Sequence, residues 1–283
     1  MRCDFGLIDI MFHKIYLLFA AMLTVLVSTS CSEYNRILKS ADVDEKYEYA
    51  KMYYKNGKYM KAATLLGDVV PIYRGTEQAE EALYLYAMSY YNMEDYVSSS
   101  EYFARFCNSY PSSDKAEYCR FLMAMGDYYD SPDPRLDQAT TRRAIKEFDS
   151  FLESYPRSQY ADSATVLRLE LSDRLCYKEY LSAKLYLNLG SYMGNNYESA
   201  VITARNAVND YPYSKHVEDL SYIIFKARYE AAVSSIDEKK ADRLREAYDE
   251  YYTFTNEFPS SKYSKEVASD FAHIERLMKK YQD

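Results

Sequence analysis

FLESYPRSQYADSA, residues 151–164, is one version of a phrase that recurs along the chain: FARFCNSYPSSDKAEYC at 103–119, ARNAVNDYPYSKHVED at 204–219 and TNEFPSSKYSKEVA at 255–268. Prolines 71, 111, 156, 212 and 259 stand 40, 45, 56 and 47 residues apart, periods that mark stacked helical units. Aligned on these prolines, the position just before holds Val70, Tyr110, Tyr155, Tyr211 and Phe258. Five before stand Leu66, Phe106, Phe151, Ala207 and Phe254, and eight before stand Ala63, Phe103, Phe148, Ala204 and Tyr251. Twelve before, in the last four copies, stand Ser99, Ala144, Ala200 and Ala247. Steps of three and four place these residues on one face of a helix that ends at the proline. The first copy is shifted, its motif running Tyr59, Ala62, Leu66. A serine past each proline (Ser112 or Ser113, Ser158, Ser214, Ser260) is expected to cap the next helix.

A second helix precedes each of these. ALYLYAMSYY (82–91) puts Leu83, Tyr86, Ala87 and Tyr90 on one face; Ala50 and Tyr53 take the same places in the first copy, and Leu122, Met125, Gly126 and Tyr129 in the third. A small residue at a helix crossing, with aromatics above and below it, is the tetratricopeptide-repeat pattern. DSPDPRLDQAT (130–140) carries two prolines and reads as a loop, and SSIDEKKADR (234–243) as a charged, exposed insertion. Residues 161–189 lack Gly and Pro and read as one long helix or two nearly continuous ones, while 262–281 supply a final helix to close the stack. The expected fold is all-α: a right-handed solenoid of about five tetratricopeptide-like helical hairpins with a C-terminal capping helix. Front repeats 1–3 fall at 42–156, and rear repeats 4–5 with the cap at 157–283.

Composition agrees. Seven glycines and seven prolines in 283 residues are too few for a strand-and-turn protein, whereas 48% hydrophobic residues supply an ample core. The 34 tyrosines, with no tryptophan, suit core positions whose hydroxyls reach the edge. A net charge of −8 and scattered Lys and Arg leave no basic stripe for nucleic acid. Catalysis has no visible basis: His216 and His273 stand alone, carboxylate pairs such as Glu80–Glu81 read as a solvated helix edge, and metal-ligand spacings, a nucleophile elbow and a phosphate loop are absent. No metal and no cofactor are expected. Cys107, Cys119 and Cys176 read as buried thiols, with a Cys107–Cys119 bridge as the alternative.

In MFHKIYLLFAAMLTVLVSTSC (11–31), Lys14 precedes an apolar run from Ile15 to Val27, and small residues lead to Cys31. That is a secretory signal (1–30) too short for a stable membrane span. The first ten residues, MRCDFGLIDI, fit a signal badly, so Met11 is the expected start. The cleavage point resembles a bacterial lipoprotein box, with Ser28 where Leu is usual; an ordinary signal with a coincidental cysteine is the alternative. Acylation of Cys31 would tether residues 31–41 as a linker at a bilayer surface. Ser32 after the cysteine, and no acidic run beyond it, point to the periplasmic face of the outer membrane.

With these parts assembled, the chain resembles the BamD family, tetratricopeptide lipoproteins of the outer-membrane β-barrel assembly machinery. The residues that carry the resemblance are Cys31, YKNGKYMKAATLL (54–66), EQAEEALYLYAMSYYNMEDYVSSSEYFARF (77–106), LDQATTRRAIKEFDSFLESYPRSQYADSA (136–164) and RLCYKEYLSAKLYLNLGSY (174–192). Within them, Asp137 and Gln138 sit in the insertion loop as in the family. Ala204 and Ala207, where large residues are usual, and the 234–243 insertion depart from it, both in the rear half. The resemblance implies a non-enzymatic scaffold. It would bind the last, aromatic-ended strand of unfolded outer-membrane proteins through the front repeats and the barrel component BamA through the rear ones. Counting from the core positions, the groove side of the front helices gets Tyr47, Lys51, Tyr54, Tyr84, Met88, Tyr91, Arg120 and Met123. Aromatics and Met suit an adaptable apolar peptide, and Lys51 or Arg120 a terminal carboxylate; the alternative is plain solenoid surface. Two other functions use the same architecture: an envelope lipoprotein coordinating cell-wall synthesis, and a surface nutrient-binding lipoprotein.

Overall fold

The computed structural model describes residues 33–280, and no strand occurs among them. Cys31 lies outside these residues. The chain divides into two compact units, one ending at Gly126 and one beginning at Asp127. The front unit contains α1 (33–38), α2 (Val43–Lys55), α3 (Tyr59–Ile72), α4 (Ala79–Asn92), α5 (Tyr96–Ser109) and most of α6 (Ala116–Tyr129). The rear unit holds α7 (Ala139–Ser154), α8 (Ala161–Leu189), α9 (Asn196–Asp210), α10 (Val217–Val233), α11 (Asp237–Glu257) and α12 (Ser264–Met278). In the front unit, α2 through α5 pack antiparallel in sequence, and α2 also touches α4. The rear unit repeats this from α7 to α12, with α8 touching α10 and α10 touching α12. Within each unit consecutive helices pair, and first helices of successive hairpins (α2 with α4, α8 with α10) also touch, the packing of tetratricopeptide-like hairpins.

The aligned positions are the core. Phe103, Phe106, Ala144, Phe148, Ala200, Ala204, Ala207 and Ala247 are fully buried, and Ser99, Phe151 and Phe254 nearly so. On the preceding helices Ala50, Tyr53, Leu83, Ala87 and Leu122 are buried, but Tyr129, expected beside them, is exposed.

The recurring phrase is a turn with one hydrogen-bond pattern. Its aromatic is the helix C-cap, at φ between −125 and −133° in α5, α7, α9 and α11. In the first of these, Tyr110 N–H donates to the Phe106 carbonyl at 2.8 Å and Ser113 N–H to the Tyr110 carbonyl at 3.1 Å. The next residue, Pro111, has no N–H to offer. The serine is not the N-cap of the following helix, as expected from sequence. It stands three residues before the helix, and its hydroxyl accepts from the N–H two positions on, as an ST turn: Ser113 from Lys115, Ser158 from Tyr160, Ser214 from His216 and Ser261 from Tyr263. In the last copy the working residue is therefore Ser261 and not Ser260. In the first copy α3 runs through Pro71, and the same turn forms on Tyr73 and Thr76. Aromatic-to-hydroxyl spacing, rather than the proline, defines the repeat.

Residues 130–138 form the expected loop. The 161–189 stretch is one helix of 29 residues, stopped at Gly190, whose φ of +56° favours glycine. A Cβ there would meet Tyr197 Oη at 2.8 Å. The 234–243 insertion is exposed at most positions, as expected, and from Asp237 it forms the first turns of α11. Acidic Asp237 and Glu238 at the helix N-terminus, followed by Lys, Ala, Arg and Leu, favour helix over loop.

Candidate functional site

All eight residues expected on the groove side belong to the front unit and come from α2, α4 and α6. Helix α2 starts where the Asp42 carboxylate accepts from Glu45 N–H at 3.0 Å, with Asp44 and Glu45 in its first turn. It ends at Gly57, φ +70°, which presents Tyr54 on its final turn. Helix α4 opens with Glu80 and Glu81, and α6 carries Arg120 and Met123 one turn apart.

Tyr47 is not a groove-surface residue. It is 3% exposed, its ring edge-on to Tyr73 at 5.2 Å. Its hydroxyl donates to Glu81 Oε2 at 2.6 Å. Burial, then this carboxylate, raise its pKa above the ordinary phenol value. Sequence counting missed this because residues 46, 47, 50 and 53 form a buried stripe broader than the Ala50–Tyr53 pair alone. Lys51 Nζ sits 4.6 Å over the Tyr47 ring and pairs with Glu48 at 2.6 Å, so its charge is already answered.

Six residues remain on the inner face. Tyr54, half-buried, lies edge-on to Tyr59 at 5.5 Å, and burial raises its pKa. Helix α2, which carries Tyr54, also touches α4. Tyr84 packs 5.9 Å from Phe106, with Lys115 Nζ 5.7 Å over its ring. Tyr91 touches Tyr96 at 5.6 Å and Phe103 at 6.1 Å. With Met88 and Met123, these rings rest on the front core while keeping one side open. Arg120 is half-buried and has no hydrogen-bond or ion-pair partner among the described residues.

The structure thus adds Glu81 and Lys115 to the sequence-derived set, with Asn92 and Tyr118 entering through their influence on the Tyr54 pKa. Lys115 and Tyr118 lie in the turn phrase and Asn92 stands beside Tyr91, whereas Glu81 had no signal beyond its place on a charged helix edge. The face offers rings and thioethers to apolar side chains and one free guanidinium to an anion. No group of three or more potential metal ligands occurs among the described residues, and no helix there is long and apolar enough to cross a membrane.

Comparison with known proteins adds the following. Residues 39–195, more than half of the chain and including the whole inner face, match YfiO, described as an outer membrane lipoprotein. The outer membrane protein assembly factor BamD of Neisseria meningitidis serogroup B (strain ATCC BAA-335 / MC58) is 28% identical over 130 residues, 46% of this chain and 43% of that protein. BamD of Neisseria gonorrhoeae is 27% identical over 125 residues, 44% of this chain and 41% of that protein. The chain therefore aligns with less than half the length of these relatives.

Proposed function

The chain belongs to the YfiO family of outer membrane lipoproteins, and from that premise we propose that it is a scaffold subunit of the outer-membrane β-barrel assembly machinery. It is not an enzyme; its relatives are named as assembly factors. The observation that carries the reading is that the family match spans every remaining candidate residue from Lys51 to Met123. On this reading Tyr54, Tyr84, Met88, Tyr91 and Met123 receive the alternating apolar side chains of an unfolded barrel protein's last strand. Arg120, the unanswered cation, takes its terminal carboxylate, in place of the already paired Lys51. The rear repeats hold a BamA-like barrel protein. Acylated Cys31 anchors the chain to the periplasmic face of the outer membrane.

The test is binding of a barrel C-terminal peptide, as free acid and as amide, to the full chain. Tyr54→Ala with Tyr91→Ala should weaken the free acid at least about tenfold, as expected when aromatic anchors are removed. Arg120→Met should abolish the preference for acid over amide. Unchanged affinity in the double variant would remove the groove. The rear partner is tested by purifying the C-terminally tagged chain from detergent-solubilised membranes: recovery of the barrel protein supports membership, and its absence overturns it.

A further inference from the structure

The turn between α5 and α6 carries two cysteines that the binding face does not use. Cys107 lies two residues before the end of α5 and Cys119 three residues into α6. They are 3% and 0% exposed, both within the front core. Cys107 Sγ reaches the Ala116 carbonyl oxygen at 3.6 Å. Ala116 is one helical turn before Cys119, and residues so spaced share a helix face, so this sulfur is aimed at the second cysteine. Each thiol acts on the ionisation of the other, drawing the Cys107 pKa below the ordinary thiol value and pushing that of Cys119 up. The Tyr110–Ser113–Ala116 backbone bonds, 2.8 to 3.1 Å long, already hold the flanking chain in place. Neighbouring thiols on helices positioned in this way can meet the geometry of a disulfide by side-chain rotation. The third described cysteine, Cys176, is buried in the rear unit, beside Ser214.

We propose that Cys107 and Cys119 form a disulfide in the mature protein, closed by thiol–disulfide exchange with a disulfide-bearing oxidant of the cell envelope. An outer membrane lipoprotein meets such an oxidising compartment on its way to the membrane. One cysteine thiolate attacks the oxidant's disulfide and displaces one thiolate. The other cysteine thiolate then attacks the mixed disulfide and displaces the second. One S–S bond forms in the protein and one breaks in the oxidant; two electrons pass to the oxidant, and the two cysteine protons end on its thiols. Because both sulfurs are buried, exchange takes place while α5 and α6 are still closing, and the finished bond is shielded from reduction. The bond staples the second hairpin to the third, directly beside Arg120.

The experiment uses the full-length chain from envelopes of cells quenched in acid. The chain is denatured and labelled with a maleimide polymer before and after reduction. Reduction should expose two further thiols in the wild type and none in Cys119→Ser. Peptide mapping of the unreduced wild type, which needs no variant to fold, should join the Cys107 and Cys119 peptides directly. Reductant should lower the wild-type melting temperature by about 5 °C, the shift expected for losing a short-loop staple. No thiols gained on reduction, or either cysteine joined to another partner, overturns the proposal.

Discussion

In the front unit successive helices are joined by phenols and by few ion pairs, chief among them Lys46 of α2 to Asp68 of α3 at 2.6 Å. Tyr47 of α2 donates to Glu81 of α4 at 2.6 Å, and Tyr73 after α3 donates to Asp44 of α2 at 2.6 Å. The rear unit keeps the same two phenol joints, Tyr222 of α10 to Glu266 of α12 at 2.8 Å and Tyr263 to Asp219 of α10 at 2.6 Å, and adds a set of ion pairs between its helices. Arg228 of α10 spans Glu198 of α9 at 2.6 Å and Glu246 of α11 at 3.0 Å. Lys226 meets Asp270 at 2.7 Å and Glu266 at 3.2 Å on α12, and Arg205 meets Glu250 at 2.8 Å. The cores differ at one helix rather than throughout: α5 buries Phe103 and Phe106 where α9, between α8 and α10, presents Ala200, Ala204 and Ala207. Phe148, Phe151, Phe225 and Phe254 fill the rest of the rear core. A face built on neutral rings accepts varied apolar segments without a fixed register. A lattice of charges fixes the spacing of the helices it joins.

The sharpest way to break that contrast is to exchange the two kinds of core. Phe106 is fully buried, with Tyr84 at 5.9 Å and Tyr110 at 5.4 Å. Phe106→Ala should lower urea-unfolding stability of the full chain by about 3–5 kcal/mol. Ala204→Leu, which forces methylenes between three helices, should cost about 1–3 kcal/mol. Peptide-resolved hydrogen exchange should place the first loss in α4–α5 and the second in α8–α10. A neutral Ala204→Leu would mean that the rear helices have slack, and the contrast in packing would fall.

The next test separates phenols from charges. Arg228→Met leaves Glu198 and Glu246 without their common cation, whose side chain is 18% exposed. Both carboxylates are well exposed, so the expected cost is reduced to about 1–2 kcal/mol. It should shrink in 1 M salt, where screening weakens the wild-type pair. Tyr47→Phe, which removes one bond to the exposed Glu81, should cost about 1 kcal/mol or less and be indifferent to salt. An Arg228→Met cost that ignores salt would assign the loss to packing of the side chain instead.

Hairpin number and core faces were legible because steps of three and four survive any change of loop length, as Phe103, Phe106, Phe148 and Phe151 demonstrate. Chemistry at the ends of helices was harder to read. The serine's place depends on where the turn bonds close, which separates Ser261 from its neighbour Ser260 and lets Thr76 stand in for a serine with no proline at the usual distance. Residues 237–243 were legible as charged and exposed, but charge marks only exposure; that they form helix follows from their being good helix formers. For the candidate face, the helix wheel set Tyr54, Tyr84 and Tyr91 beside the core stripe, and the structure has them partly buried against the front core. The wheel could not show that Tyr47 turns inward, since that depends on Glu81, 34 residues away, offering its hydroxyl a partner.

The smallest predicted effect concerns protons and belongs to the rear unit. His216, the N-cap of α10, lies against the Tyr177 ring at 5.0 Å, with Asp219 at 3.9 Å. Burial, then the Lys215 charge, lower its pKa from the ordinary 6.5, while Asp173 and Asp219 pull the other way and lose. Its neutral form is therefore the one the folded state prefers. The stability this confers is fully present above pH 6.5 and is lost as pH falls through the lowered value. Asp219 and Glu266 have pKa values held below the ordinary 3.8 and 4.5, so their contribution disappears only in stronger acid. Glu250 runs in the opposite sense, its pKa raised by burial, and gains stability as pH falls through that raised value. The melting temperature of the wild type against His216→Gln isolates the histidine from all three. Between pH 7 and 5.5 the wild type should lose the equivalent of less than about 1 kcal/mol relative to the variant. Parallel curves would mean that His216 titrates alike in the folded and unfolded chains, leaving the rear unit's acid response to its carboxylates alone.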